Sequence, residues 1–71
     1  MKIIIGRCLL QELLDARGLS HVQLSDRTKI AASQISEYAK NKRKMSLMNA
    51  KKIAFVLNCF IDDLYDFNIK Q

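Results

Sequence analysis

Only three residues, Lys29, Ile30 and Ala31, separate two stretches with helical apolar spacing, residues 20–28 and residues 32–40. Two short helices joined by so tight a turn cannot lie side by side antiparallel, so they must cross steeply. Ser20 followed by Gln23 opens the first as a capping box: the hydroxyl takes a backbone N–H of the first turn and the glutamine amide returns a bond to the backbone of Ser20. Leu24 is its inward anchor, and Ile35 and Tyr38 are those of the second stretch. The rest of the chain has to pack around that corner.

Proline is absent and there are only two glycines, which favours helix throughout. Leu9, Leu10, Leu13 and Leu14 share one helical face, and Gly18 supplies a left-handed stop, so a helix is expected over about residues 6–17. Asn41 can adopt the left-handed conformation that ends the helix at residues 32–40, leaving Lys40-Asn41-Lys42-Arg43-Lys44 as an exposed loop. Ser46 caps the next helix, with Leu47, Ala50, Ile53, Ala54 and Leu57 as its buried stripe and Asn58 as its stop. A last short helix at about residues 61–66 buries Ile61 and Leu64 and sets Asp62 and Asp63 at its positive end. The expectation is an all-α, five-helix single domain over residues 1–71. Ile3-Ile4-Ile5 and Phe67-Asn68-Ile69 have strand character, and as short terminal strands they would pair with each other or across a dimer.

Where the charge falls says more than its total of +5. Residues 1–20 sum to +1 and residues 53–71 to −2, whereas residues 21–52 carry +6. A basic zone between neutral and acidic ends suits a polyanion, because each lysine or arginine near a phosphate releases a condensed counterion. The same run also reads as an ordinary solvated face.

Other function classes fare worse. Arg7 interrupts the opening apolar run too early for a signal-peptide core, and no run approaches the ~20 apolar residues of a membrane span, so a cytoplasmic protein that makes no membrane contact is expected. Cys8 and Cys59 are too few for a disulfide framework and read as small buried hydrophobes. His21 is the only histidine, so there is no metal cluster, no cofactor is expected, and neither a glycine-rich phosphate loop nor a catalytic constellation marks an enzyme.

The helix order, together with Gly18-Leu19-Ser20, Leu24, Ile30, Ile35-Ser36, Ile53-Ala54, Leu57-Asn58 and Asp63-Leu64-Tyr65, resembles the phage repressor and Cro-like helix-turn-helix family of transcriptional regulators. The resemblance covers about residues 9–65, with the helix-turn-helix itself at about residues 21–40, and implies the five-helix lambda-repressor-like fold. There are departures from the family pattern. Ser25 stands where alanine is usual, Lys29 where glycine is usual, and Ala31 where a capping side chain is common. A left-handed Lys29 would cost about 1 kcal/mol. Leu14 and Ala39 stand where many members carry an arginine and a glutamate, so the pair has been exchanged as a unit for hydrocarbon and Leu14 is expected on or near Ala39.

By the same resemblance, helix 32–40 lies in the major groove of double-stranded DNA, with Ala32, Ser33, Gln34, Ser36 and Glu37 at the bases. Glu37 reads equally as a surface partner for Lys40 one turn on. Phosphates would fall to His21, Gln23, Lys29, Lys40, Lys42, Arg43 and Lys44, with an exposed His21 as the plain alternative. One helix makes too small an interface for tight specific binding, which implies a homodimer, acting as a repressor, on an inverted-repeat operator. Its dimer surface would lie around Phe60, Ile61, Tyr65 and Phe67, a cluster that serves equally well as core. The rival expectation is a protein-interaction module of the same fold, antitoxin-like or an anti-repressor adaptor, that binds a regulatory protein or peptide and no DNA.

Overall fold

The computed structural model describes residues 1–71, and its elements run β1 (Lys2–Cys8), α1 (Leu10–Arg17), α2 (His21–Thr28), α3 (Ala32–Ala39), α4 (Leu47–Leu57), a single 3-10 turn (Ile61–Leu64) and β2 (Tyr65–Lys70). Each helix end carries a local signal. The Ser20 hydroxyl accepts from the Gln23 N–H at 3.1 Å while the Ser20 N–H donates to Gln23 Oε1 at 2.8 Å, the reciprocal box the sequence encodes. Ser46 caps α4 through the Asn49 N–H at 3.1 Å. Gly18, Lys29, Asn41 and Asn58 all take positive φ, between 56° and 65°, close to the helix ends where the chain must turn. Ser20→Ala should therefore cost about 1 kcal/mol in urea unfolding, leaving the fold intact.

Three expectations are corrected, the first being Leu47, which at the first position of α4 stands 77% exposed while Ala50, Ile53, Ala54 and Leu57 form the buried stripe. The fifth helix is one 3-10 turn of four residues, and the fold is four helices plus an antiparallel ribbon rather than purely all-α. The Phe60 N–H donates to Asp63 Oδ2 at 2.9 Å and opens the turn, but Tyr65 already has to extend to pair with Cys8. Helix one begins at Leu10 rather than near residue 6, because Gly6, Arg7 and Cys8 continue the strand. The ends pair with each other within the chain, Lys2 opposite Lys70, Ile3 opposite Ile69, Ile4 opposite Asn68 and Ile5 opposite Phe67, with a bulge before Cys8 and Tyr65. Gly6 sits in that bulge, where a Cβ would lie 2.5 Å from the carbonyl oxygen of Asp66, so only glycine fits the approach.

Leu10, Leu14, Leu24, Ile35, Tyr38, Ile53, Leu57 and Leu64 are the largest fully buried side chains of one core cluster. Leu14 is sealed in it and Ala39 packs against it, where α1 meets α3. The Arg17 guanidinium closes the far side by donating to the Leu57 carbonyl at 2.8 Å, capping α4. The ribbon draws the molecule out to 39 Å in one direction against about 20 Å in the others.

Candidate nucleic-acid interface

The turn between α2 and α3 absorbs its two unusual residues through side-chain bonds. Lys29 takes φ 63°. The Thr28 hydroxyl donates to the Leu24 carbonyl at 2.8 Å and accepts the Ile30 N–H at 3.3 Å. The Ser25 hydroxyl donates to the Ile30 carbonyl from the other side, so a serine braces the corner that a smaller residue would leave to packing alone. Ile30 is buried and pins the turn to the core. With the corner fixed, Ile35 and Tyr38 anchor α3 from beneath.

The outer side of α3 follows from that anchoring. Ser33 is exposed, and Ala32, Gln34, Ser36 and Glu37 are half-buried along the helix flanks. Ala31 gives the helix no side-chain cap, so its first N–H groups lack a side-chain acceptor. Gln34 is held in place: its Nε2 donates to the Tyr38 hydroxyl at 2.9 Å, and Asn49 Nδ2 reaches the same oxygen at 3.0 Å. Tyr38 and Asn49 thus set the amide of Gln34 from inside the protein, a role that sequence reasoning missed. The i, i+4 spacing of Gln34 and Tyr38 was the signal available for half of it.

Glu37 meets Arg43 at 3.6 Å, across the loop, rather than Lys40 one turn along the helix. The Lys42 N–H donates to the Glu37 carbonyl at 2.9 Å, which folds the loop back and brings Arg43 round. Asn41 ties the loop to the ribbon, its Oδ1 accepting the Cys8 N–H at 3.3 Å. Lys29, Lys40 and Lys42 are exposed and carry no ion pair. Lys44 turns away, its ammonium 6.0 Å from the centre of the Tyr65 ring.

At the start of α2, His21 is half-buried and its Nε2 lies 2.7 Å from Gln11 Oε1, while Gln11 Nε2 donates to Asp15 Oδ1 at 2.8 Å. That ring nitrogen is turned toward α1. Gln23 spends its Oε1 on the cap and keeps its NH2 group. Of the aromatic cluster near the C-terminal end, Tyr65 is buried with its hydroxyl accepting the Met45 N–H at 3.0 Å, and Ile61 packs on the core. Phe60 and Phe67 are exposed. Burial pushes the Cys8 and Cys59 thiols up from their ordinary pKa, away from the thiolate. No helix is long and apolar enough to cross a membrane.

A family model for the Cro/C1-type helix-turn-helix DNA-binding domain matches residues 9–70. The chain is 38% identical over 72 residues to the SPbeta prophage-derived HTH-type transcriptional regulator YopS of Bacillus subtilis (strain 168), covering all of this chain and 97% of YopS. Among solved structures, its fold is similar to that of the transcriptional regulator VanUg, with a TM-score of 0.72 over 99% of this chain and 92% of that one at 21% identity.

Proposed function

Since the chain belongs to the Cro/C1-type helix-turn-helix DNA-binding family, we propose that it is a transcriptional regulator that binds double-stranded DNA by laying α3 in the major groove. The observation that carries this reading is the outer side of α3, where Ser33 is exposed and Ala32, Gln34 and Ser36 are half-buried, with unpaired cations at both of its ends: Lys29 before it, Lys40 and Lys42 after it. Ala32, Ser33, Gln34 and Ser36 meet base edges, Gln34 with its amide fixed by Tyr38. Glu37, drawn toward Arg43, is left to accept from a cytosine amino group only where Arg43 moves onto a phosphate. Gln23 adds a phosphate contact from the start of α2, and His21 adds one only by giving up Gln11. The regulator acts as a repressor, bound as a two-fold dimer to an inverted repeat with half-sites about one helical turn apart.

Selection of bound sequences from a random duplex pool tests this. Enrichment of an inverted repeat, with weaker and strongly salt-dependent binding to the unselected pool, is the expected result. No binding to any duplex at low ionic strength would end it. The second reading, a protein-binding module, is favoured by the lack of any lysine or arginine within α3 itself, and salt-insensitive capture of one polypeptide in place of duplex would select it.

A further inference from the structure

The outward sides of the helices differ in kind. α1 turns Glu12, Asp15 and Arg17 to solvent and α2 turns Gln23, Asp26 and Arg27, the mixed polar surface of an ordinary solvated face. α4 does otherwise. Its Ala50, Ile53, Ala54 and Leu57 are buried in the core, and on the opposite side Met48 and Phe55 stand 68% and 80% exposed. At about 100° per residue these two lie within about 20° of one line along the helix, about 10 Å apart. Lys51 and Lys52, both exposed, flank that line by about 50° on either side. Neither lysine has an ion pair, and α4 contains no acidic residue. The flank toward α3 is marked by Asn49, which reaches the Tyr38 hydroxyl and lies about 110° round from the line. The apolar line thus sits apart from the residues that α3 and its flanking cations offer to DNA.

We infer that this face of α4 binds an acidic amphipathic helix of a partner protein, whose apolar side chains meet Met48 and Phe55 and whose carboxylates meet Lys51 and Lys52. Charge complementarity selects that occupant. An apolar line with a cation on each side is matched by a helix with an apolar stripe and acidic flanks, the same pattern with the opposite sign. A second copy of the same face is a poor match, because it would bring four lysines together. Duplex DNA has the charge but offers no apolar surface to Met48 and Phe55. An anionic bilayer needs a broad apolar face to insert, and α4 has its other side held in the core. An extended peptide would need an open sheet edge, which a helix does not provide. Methionine and phenylalanine are also among the side chains that interfaces favour at their centres. The patch is small, so the contact is a weak and transient one. This goes beyond the DNA reading: α3 stays free, and the chain can hold a duplex and the partner helix at once.

Amide chemical shifts of the labelled full chain, titrated at roughly physiological salt with two synthetic helical peptides, are the test. Both peptides carry leucines along one stripe; one has glutamates on its flanks and the other lysines. The glutamate peptide is expected to move Met48, Lys51, Lys52 and Phe55 to saturation, and the lysine peptide to move nothing. Phe55→Ser should weaken the glutamate peptide about tenfold and, at so exposed a position, leave the fold intact. Lys51→Glu with Lys52→Glu should reverse the preference, so that the lysine peptide binds instead. The proposal is overturned by no saturation with the glutamate peptide, by shifts confined to Lys29, Lys40 and Lys42, or by a preference that the double reversal leaves unchanged. Phosphatidylglycerol vesicles that bind through Phe55 where the glutamate peptide does not would overturn it in favour of a membrane. The functional reading fails separately: a chain that takes the peptide and no duplex refutes only DNA binding, and one that takes duplex and neither peptide refutes only this surface.

Discussion

Replacing Leu14 by arginine should remove a large share of the protein's stability, about 3–5 kcal/mol. Leu14 is fully buried among Leu10, Ile35 and the α4 side chains of the core, so the guanidinium would be sealed from water without a partner. Leaving such a charge uncompensated costs about 3–5 kcal/mol. A chain of this length has on the order of 4–10 kcal/mol in all. The measurement is urea unfolding followed by circular dichroism. Adding Ala39→Glu to Leu14→Arg should recover a large part of the loss, because α1 and α3 meet at the core and Ala39 packs there. A destabilised single mutant with no recovery in the double would separate the two positions. A neutral single mutant would mean that Leu14 is not buried.

Removing the free cations around α3 should produce the largest change in binding. Lys29, Lys40 and Lys42 have no acidic partner, and substituting all three by glutamine should make the slope of log affinity against log salt shallower by about 2.7 if each meets a phosphate of duplex DNA. Affinity should fall alike for selected and unselected duplex, since phosphate contacts carry no sequence information. Gln34→Ala should behave in the opposite way. The salt slope stays, and discrimination at one base pair drops by about 1–3 kcal/mol. Tyr38→Phe should blur the same base pair more mildly, because the amide of Gln34 loses the hydroxyl that orients it. Fluorescence anisotropy across a salt series reads all of these, and an unchanged slope in the triple variant would show that these lysines face solvent alone.

Much of the helical frame was legible. The Ser20–Gln23 box, the stops at Gly18, Asn41 and Asn58, the left-handed Lys29 and the cap at Ser46 all stand where the residues indicate. The errors fall where the sequence carried two signals at once. Residues 6–8 lie between the β-branched run of Ile3–Ile5 and the leucine stripe that starts at Leu9, and the pairing with β2 settled them for strand. Residues 61–66 start as a helix should, with Asp63 closing on the Phe60 N–H, yet Tyr65 is drawn off to face Cys8. Within the candidate site, spacing on one helix suggested Lys40 for Glu37, while the loop that folds back at Lys42 supplied Arg43 instead. Ser25 looked like a mere departure from the family pattern, and proved to be the hydroxyl that braces the turn through Ile30.

Sequence alone determined the four helices, their ends except the start of α1, the corner between α2 and α3 and the siting of positive charge beside it. These depend on groups within about four residues of one another, whose bonds form with little loss of chain entropy wherever the segment lies. Only the tertiary structure decided that the two ends join as a ribbon, that Asn41 anchors to Cys8, that His21 turns to Gln11 and that Asn49 steadies Tyr38 beneath Gln34. Each of those joins residues ten or more positions apart, and the entropy of closing such loops is offset only once the core has already brought them together.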